Sequence, residues 1–105
     1  MLHARITIDQ AEQRRELRSP LSASLTLREL GCTAVEARLL NISSRGFMVA
    51  TEALVEPGAR LWLNLPGAGR TNGLVIWAAG GFIGGEFAEP VDPLAIIEAA
   101  GRDAA

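Results

Sequence analysis

The strongest constraint on the fold of this chain is a set of short apolar runs, each ended by a turn signal. In residues 21–28 and 61–65, apolar and polar residues alternate, which is the period of a β-strand with one buried face. Glycines and prolines between the runs predict turns. Residues 74–77 are apolar throughout, so we expect that strand to be covered on both faces. The pattern predicts six strands, in residues 21–28, 35–43, 47–50, 61–65, 74–77 and 82–87.

Six short strands in 105 residues predict an all-β fold, a six-stranded antiparallel β-barrel, because closure removes exposed strand edges. A single domain is expected, with a flexible N-terminal arm over residues 1–19, the barrel over 20–90 and a short C-terminal α-helix over 92–101. The arm is charged and is ended by Pro20, which disfavours helical backbone at Ser19. Asp92 is the predicted N-cap of the helix, Pro93 its first residue and Gly101 its end.

Composition restricts the classes of function. Hydrophobic residues make up 49% of the chain and charged residues 21%, which is typical of a globular domain. A formal charge of −2 gives no general attraction to a polyanion, so we expect no DNA or RNA partner. The single cysteine, Cys32, excludes an internal disulfide and a zinc cluster, and it fits a cytoplasmic location. The longest apolar stretch, residues 74–79, is too short to insert into a membrane.

Two short polar strings are the candidates for a binding site. The first contains Arg14, Arg15 and Arg18, whose guanidinium groups carry donors in a rigid plane that matches phosphate oxygens and the acceptor edge of guanine. Arg14 and Arg18 are four residues apart and share a face in either a helix or a strand. Taken alone, this string would be a solvated charged segment paired with Glu12 and Glu16.

The second string contains Asn41, Ser43 and Gly46, at the end of the second predicted strand. The alternation slips by one residue at Leu40, so we predict a bulge or twist that turns Asn41 and Ser43 outward. Their side chains offer neutral donors and acceptors, and Gly46 permits a tight turn and close approach of a ligand. Together with the arginines, these residues are suited to a guanine nucleotide.

The two strings, in this order and with a barrel pattern between and after them, resemble the PilZ domain, a bacterial receptor module for cyclic di-GMP. Arg14 and Arg18 match the RxxxR motif of that family, and Asn41, Ser43 and Gly46 match its (D/N)xSxxG motif. The resemblance covers roughly residues 12 to 100. Two later hallmarks of the family, a V-x-W strand and a G-x-x-F strand, resemble Val75 to Trp77 and Gly84 to Phe87.

The resemblance implies a non-enzymatic receptor, without metal or other cofactor, that clamps cyclic di-GMP between the arm and the barrel. Arg14 and Arg18 would pair with phosphates or guanine edges, and Arg15 would add a contact. Asn41 and Ser43 would bond a guanine edge, beside the close approach at Gly46. Ordering of the arm by the ligand would then signal to an unidentified partner protein.

Three alternatives stay open at this point. The nearest is a PilZ-type adaptor that acts through protein contacts without nucleotide, for instance in type IV pilus assembly. A small barrel that binds single-stranded nucleic acid is disfavoured by negative charge and few aromatic residues. An enzyme is disfavoured because no acid, base or metal constellation is evident. Trp62 and Trp77 are interpreted as packing residues, and Trp77 is the better candidate for stacking on a base because it flanks glycines. Residues 84–87, which resemble a diguanylate cyclase signature, are interpreted as part of the last barrel strand.

Overall fold

The computed structural model describes residues 19–104, which form a closed barrel of six antiparallel strands followed by one helix. The predicted fold class is therefore confirmed. The elements are β1 (Ser19–Glu29), β2 (Val35–Ile42), β3 (Gly46–Thr51), β4 (Arg60–Leu65), β5 (Gly69–Ala79), β6 (Phe82–Phe87) and α1 (Pro93–Ala104).

The strands are ordered β1-β2-β3-β6-β5-β4 around the barrel, and β4 pairs with β1 to close it. Four of the neighbouring pairs are hairpins, but β3 pairs with β6 and β1 with β4, which are distant in sequence. Closure gives every strand a hydrogen-bonded neighbour on both sides.

Alternate residues of each strand point into the barrel and make its core. Burying such a side chain stabilises the fold by roughly 1.5–3 kcal/mol relative to leaving it in water. Phe47 and Phe87 pack together, with ring centroids 5.0 Å apart. Besides Phe47, the fully buried large side chains are Leu27, Leu39, Ile42, Val49, Leu61, Leu63, Val75, Ile83 and Ile96.

Helix α1 covers one end of the barrel, and Ile96 from this helix joins the core with no exposed surface. Asp92 is the N-cap, as predicted, because its Oδ1 accepts hydrogen bonds from the backbone N–H of Leu94 (3.1 Å) and Ala95 (3.4 Å). The helix does not end at Gly101 but continues to Ala104. Among the residues that the structure describes, no helix has the length and apolarity needed to cross a lipid bilayer.

Strand β5 departs from the prediction in length and in burial. It pairs with β4 along residues 69–74. The polar residues and glycines before Leu74, which the sequence pattern assigns to a turn, are therefore part of the strand. The expectation that residues 74–77 are covered on both faces is wrong, because Ile76 is 47% and Trp77 43% exposed. The register with β6 shifts between Val75 and Trp77, and this irregularity carries both side chains to the barrel surface.

Candidate functional site

The pairing of β1 with β2 brings the start of β1 beside the second polar string. Ser19 pairs with Ile42 and Pro20 pairs with Asn41. The register then shifts between Pro20 and Ala23, so the first residues of β1 are set apart from the regular ladder. Arg14, Arg15 and Arg18 lie outside the described residues, and their roles stay predictions.

The predicted irregularity at Leu40 is present. The β2–β3 register shifts between Leu39 and Asn41, leaving Leu40 as the extra residue, and Asn41 then pairs with Met48. Asn41 is half-buried, and among the described residues its Oδ1 is the buried side-chain atom that has no hydrogen-bond partner. A buried acceptor without a donor destabilises a protein by about 1–3 kcal/mol. A hydrogen bond from a bound molecule to this oxygen would therefore be favourable.

Ser43 lies inside the turn between β2 and β3 and is fully buried, so the prediction that its side chain points outward is wrong. Strand β2 ends at Ile42, and strand alternation no longer decides the direction of the next side chain. The Ser43 Oγ accepts hydrogen bonds from the backbone N–H of Gly46 (3.0 Å) and Arg45 (3.4 Å), while the Ser43 N–H donates to the Gly46 carbonyl (2.9 Å). The hydroxyl thereby holds the shape of the turn.

Gly46 is the first residue of β3 and is buried. The φ angle of Gly46 lies outside the left-handed region. The described glycines whose φ does lie in that region are at other positions. The tight-turn conformation expected of Gly46 is therefore not what makes this position a glycine.

A row of paired residues crosses the outer surface of five strands and begins at the start of β1. We call it the binding row: Pro20, Asn41, Met48, Gly84 and Trp77, each paired with the next across β1, β2, β3, β6 and β5. At about 4.8 Å between strands, the row spans roughly 14 Å from Asn41 to Trp77. It places the Asn41 amide next to Pro20 at one end and the Trp77 ring at the other end.

Trp77 lies over Gly84 in this row. A Cβ at Gly84 would overlap the indole ring of Trp77, so the absence of a side chain there allows the ring to lie against the strand. The ring is packed on one side and 43% exposed overall. Trp77 therefore packs against the strand, as interpreted, and its ring also has an exposed aromatic surface.

Arg38 is a candidate that the sequence did not single out. It lies on β2, opposite Ser24 of β1, and its guanidinium donates to the Ser22 Oγ (2.9 Å) and the Ser24 Oγ (3.3 Å). A depression of about 550 Å³ extends from Arg38 to Asn64 across the outer surface of β1. In the sequence, Arg38 is one polar residue of a regular alternation, and only the bulge at Leu40 brings it to the same surface as Asn41.

The chemistry available at this surface is recognition through hydrogen bonds, charge and stacking. No group of histidine, cysteine or acidic side chains within residues 19–104 is arranged to hold a metal ion. Residues 84–87 form part of strand β6, as interpreted, with Phe87 buried in the core. Cys32 is exposed in the turn after β1.

A model of the PilZ domain matches residues 12–98 of the chain. Among solved structures, that of the Bacillus subtilis inhibitor of motility (MotI/DgrA) has a similar fold, with a TM-score of 0.57 and 17% sequence identity. The match covers 88% of this chain and 51% of that chain, so this chain spans about half the length of the protein it matches. No curated protein matches the sequence. Since the PilZ model spans both polar strings and nearly the whole barrel, the chain belongs to the PilZ domain family.

Proposed function

We propose that this protein is a receptor that binds cyclic di-GMP between Arg14–Arg18 and the binding row, and that the bound state is read by a partner protein. PilZ domains are binding and regulatory domains for this ligand, not enzymes. Both family motifs are complete in this sequence. We further propose a cytoplasmic location for this activity.

The observation that carries the proposal is the pairing of Pro20 with Asn41. Arg18 is separated from Pro20 by one residue, and Arg14 lies four residues before Arg18. An extended chain spans at most about 3.6 Å per residue, so Arg14 is within about 18 Å of Ser19 along the chain. The chain is therefore short enough for both arginines to contact a ligand that is bound at Asn41.

Asn41 provides the polar contact to guanine. The N1–H and N2–H groups of guanine are donors, and the buried Oδ1 of Asn41 lacks one. A ligand that supplies this donor recovers the cost of the unpaired oxygen. The purine ring then lies over the rest of the binding row, which ends at the exposed ring of Trp77.

The two phosphates of the ligand would be bound by the arginines. Guanidinium groups form bidentate, charge-assisted hydrogen bonds with phosphate oxygens. Arg14, Arg15 and Arg18 are clustered in sequence, and an anion relieves the repulsion among them. Ligand binding would thereby fix residues 14–18 against the barrel, which is the change that we propose the partner reads.

Isothermal titration calorimetry with cyclic di-GMP tests the proposal. The wild-type protein is expected to bind, and the Arg14→Ala/Arg18→Ala variant to lose most of the affinity. Arg102→Ala, on the exposed last turn of α1, is the matched arginine control and is expected to bind like the wild type. Cyclic di-AMP is the ligand control, because adenine lacks the N1–H donor.

The readout of the bound state is tested by amide hydrogen exchange. Exchange at residues 12–18 is expected to slow when cyclic di-GMP is added and to stay unchanged with cyclic di-AMP. A wild-type protein that gives no heat with cyclic di-GMP would overturn the receptor proposal and favour the protein-contact adaptor. Binding without any change in exchange at residues 12–18 would overturn the proposed signal.

A further inference from the structure

We propose that the outer face of β1, β4 and β5 is a docking surface for an acidic segment of a partner protein. Its centre is Trp62, with Arg28, Arg60 and Arg70 around it, and we call these four residues the arginine face. The proposal rests on contacts in the described barrel and does not depend on nucleotide binding. It assigns a role to a part of the surface that neither family motif reaches.

The three arginines converge on Trp62 because of the register of the closed barrel. Arg28 of β1 pairs directly with Trp62 of β4, and Arg60 lies two residues before Trp62 on the same face. Arg70 of β5 pairs with Asn64, which places it diagonally opposite Trp62. The Cζ atom of Arg70 lies 4.4 Å from the centroid of the Trp62 ring.

This arrangement holds the positive groups in place while leaving their charge available. Stacking on Trp62 orients the guanidinium of Arg70 and still leaves its N–H donors free at the edge of the plane. Arg60 donates to the Asn72 Oδ1 at 3.4 Å, which is a neutral partner. Within the described residues, none of the three arginines has a carboxylate partner.

The arginine face is positive although the chain has a net charge of −2. No acidic residue occupies an outward position of β1, β4 or β5 in the described chain. Glu29 is the acidic residue in these strands, and it pairs with the buried Leu61, so it lies at an inward position of the alternation. The neighbouring strands carry acidic residues, Glu36 opposite Thr26 on one side and Glu86 opposite Leu74 on the other. They bound the positive region on both sides.

The small size of the positive region favours a peptide over a nucleic acid. Three strands span about 10 Å, and the flanking carboxylates of Glu36 and Glu86 would repel a phosphate chain that continued past them. An extended acidic segment places alternate side chains about 7 Å apart, which matches the outward positions along β4. A depression of about 270 Å³ between Arg28, Trp62 and Arg70 gives room for the aliphatic part of a glutamate side chain.

Titration by ¹H–¹⁵N NMR tests this proposal, with a 12-residue peptide in which glutamate alternates with serine as the probe. The indole N–H of Trp62 and the Nε–H of Arg28 and Arg70 are expected to shift on binding. A peptide of lysine alternating with serine is the control for non-specific association. Assignment of the Trp62 indole signal is made with Trp62→Phe.

Charge reversal identifies the surface. Arg70→Glu is expected to weaken binding of the acidic peptide by at least about tenfold, because it replaces an attractive contact with a repulsive one. Arg102→Glu changes the net charge by the same amount on α1, which is not part of the arginine face, and is expected to change the affinity less than about twofold. Arg28→Glu repeats the test at a position that does not stack on Trp62, in case Arg70→Glu alters the fold.

Three results would overturn the proposal. The first is an acidic peptide that produces no shifts at the arginine face of the wild-type protein. The second is equal weakening by Arg70→Glu, Arg28→Glu and Arg102→Glu, which would show attraction to the whole molecule and not to this face. The third is a single-stranded 12-nucleotide DNA that binds the arginine face more tightly than the peptide at the same salt concentration.

Discussion

Pro20 and Asn41 lie directly opposite each other in the ladder between β1 and β2. The chain that leaves the RxxxR motif therefore enters the barrel beside the first residue of the NxSxxG motif. The residues that directly follow the first string, Ser19 and Pro20, therefore lie at the strand end that carries the second string. Asn41 is thus the described residue on which the proposed receptor function can be tested most directly.

Asn41→Ala is expected to weaken binding of cyclic di-GMP by about tenfold, because it removes a hydrogen bond worth about 1–1.5 kcal/mol. Asn41→Asp is expected to strengthen binding, since a charged acceptor makes stronger bonds with guanine donors. The same aspartate is expected to lower the melting temperature of the ligand-free protein, as it puts a charge where no donor is present. Calorimetry and thermal denaturation measure both effects. An unchanged affinity for Asn41→Ala would exclude Asn41 from the site.

Arg38→Ala is expected to weaken cyclic di-GMP binding by about three- to tenfold, since a guanidinium at the edge of the binding row attracts phosphate. Thr33→Ala, an exposed position in the turn after β1, is the control and is expected to have no effect. The stability of Arg38→Ala is expected to stay within about 0.5 kcal/mol of wild type, because exposed contacts contribute little. Equal affinities for wild type and Arg38→Ala would restrict the site to the two motifs.

Gly84→Ala is expected to displace the Trp77 ring, because the added Cβ occupies the space of the indole. Overpacking of this kind costs about 1–3 kcal/mol of stability. Near-ultraviolet circular dichroism and chemical denaturation report the two changes. Gly101→Ala is the matched control: nothing lies within 4 Å of its added Cβ, and the helix is expected to gain about 0.5–1 kcal/mol. Wild-type spectra and stability for Gly84→Ala would contradict the close packing.

Ser43→Ala is expected to reduce the free energy of unfolding by about 1–3 kcal/mol, because the buried N–H of Gly46 loses its acceptor. The turn that Ser43 holds would loosen, and ligand affinity would fall together with stability. Urea denaturation measures the first effect, with Ser24→Ala as the exposed serine control. A variant that loses affinity at full stability would instead show direct contact between the hydroxyl and the ligand.

Asp92→Ala is expected to destabilise the protein by about 1 kcal/mol, since Asp92 caps the N-terminus of α1. Asp92→Asn keeps an acceptor oxygen at this position and is expected to differ from wild type by less than about 0.5 kcal/mol. Equilibrium denaturation of the two variants separates the hydrogen bond from the charge. Equal losses in both variants would assign the effect to charge.

The local sequence pattern determined the number of strands and, where the alternation is regular, which side chains enter the core. Alternation at Leu61, Leu63 and Leu65 corresponds to three buried side chains, because a strand has a period of two whatever its partner. Asp92 and Pro93 likewise define the start of α1, since capping is a short-range interaction. The slip at Leu40 also predicted a bulge that is present.

Only the tertiary structure decided which residues meet. Ser43 is buried because the turn needs its hydroxyl, and Trp77 is exposed because β5 shifts register against β6. Arg28, Trp62 and Arg70 come together because β1 pairs with β4 to close the barrel. Strand periodicity gives the face on which a residue lies but not its neighbour on the next strand. Pairing between distant strands depends on the packing of the whole core, which no local stretch of the sequence contains.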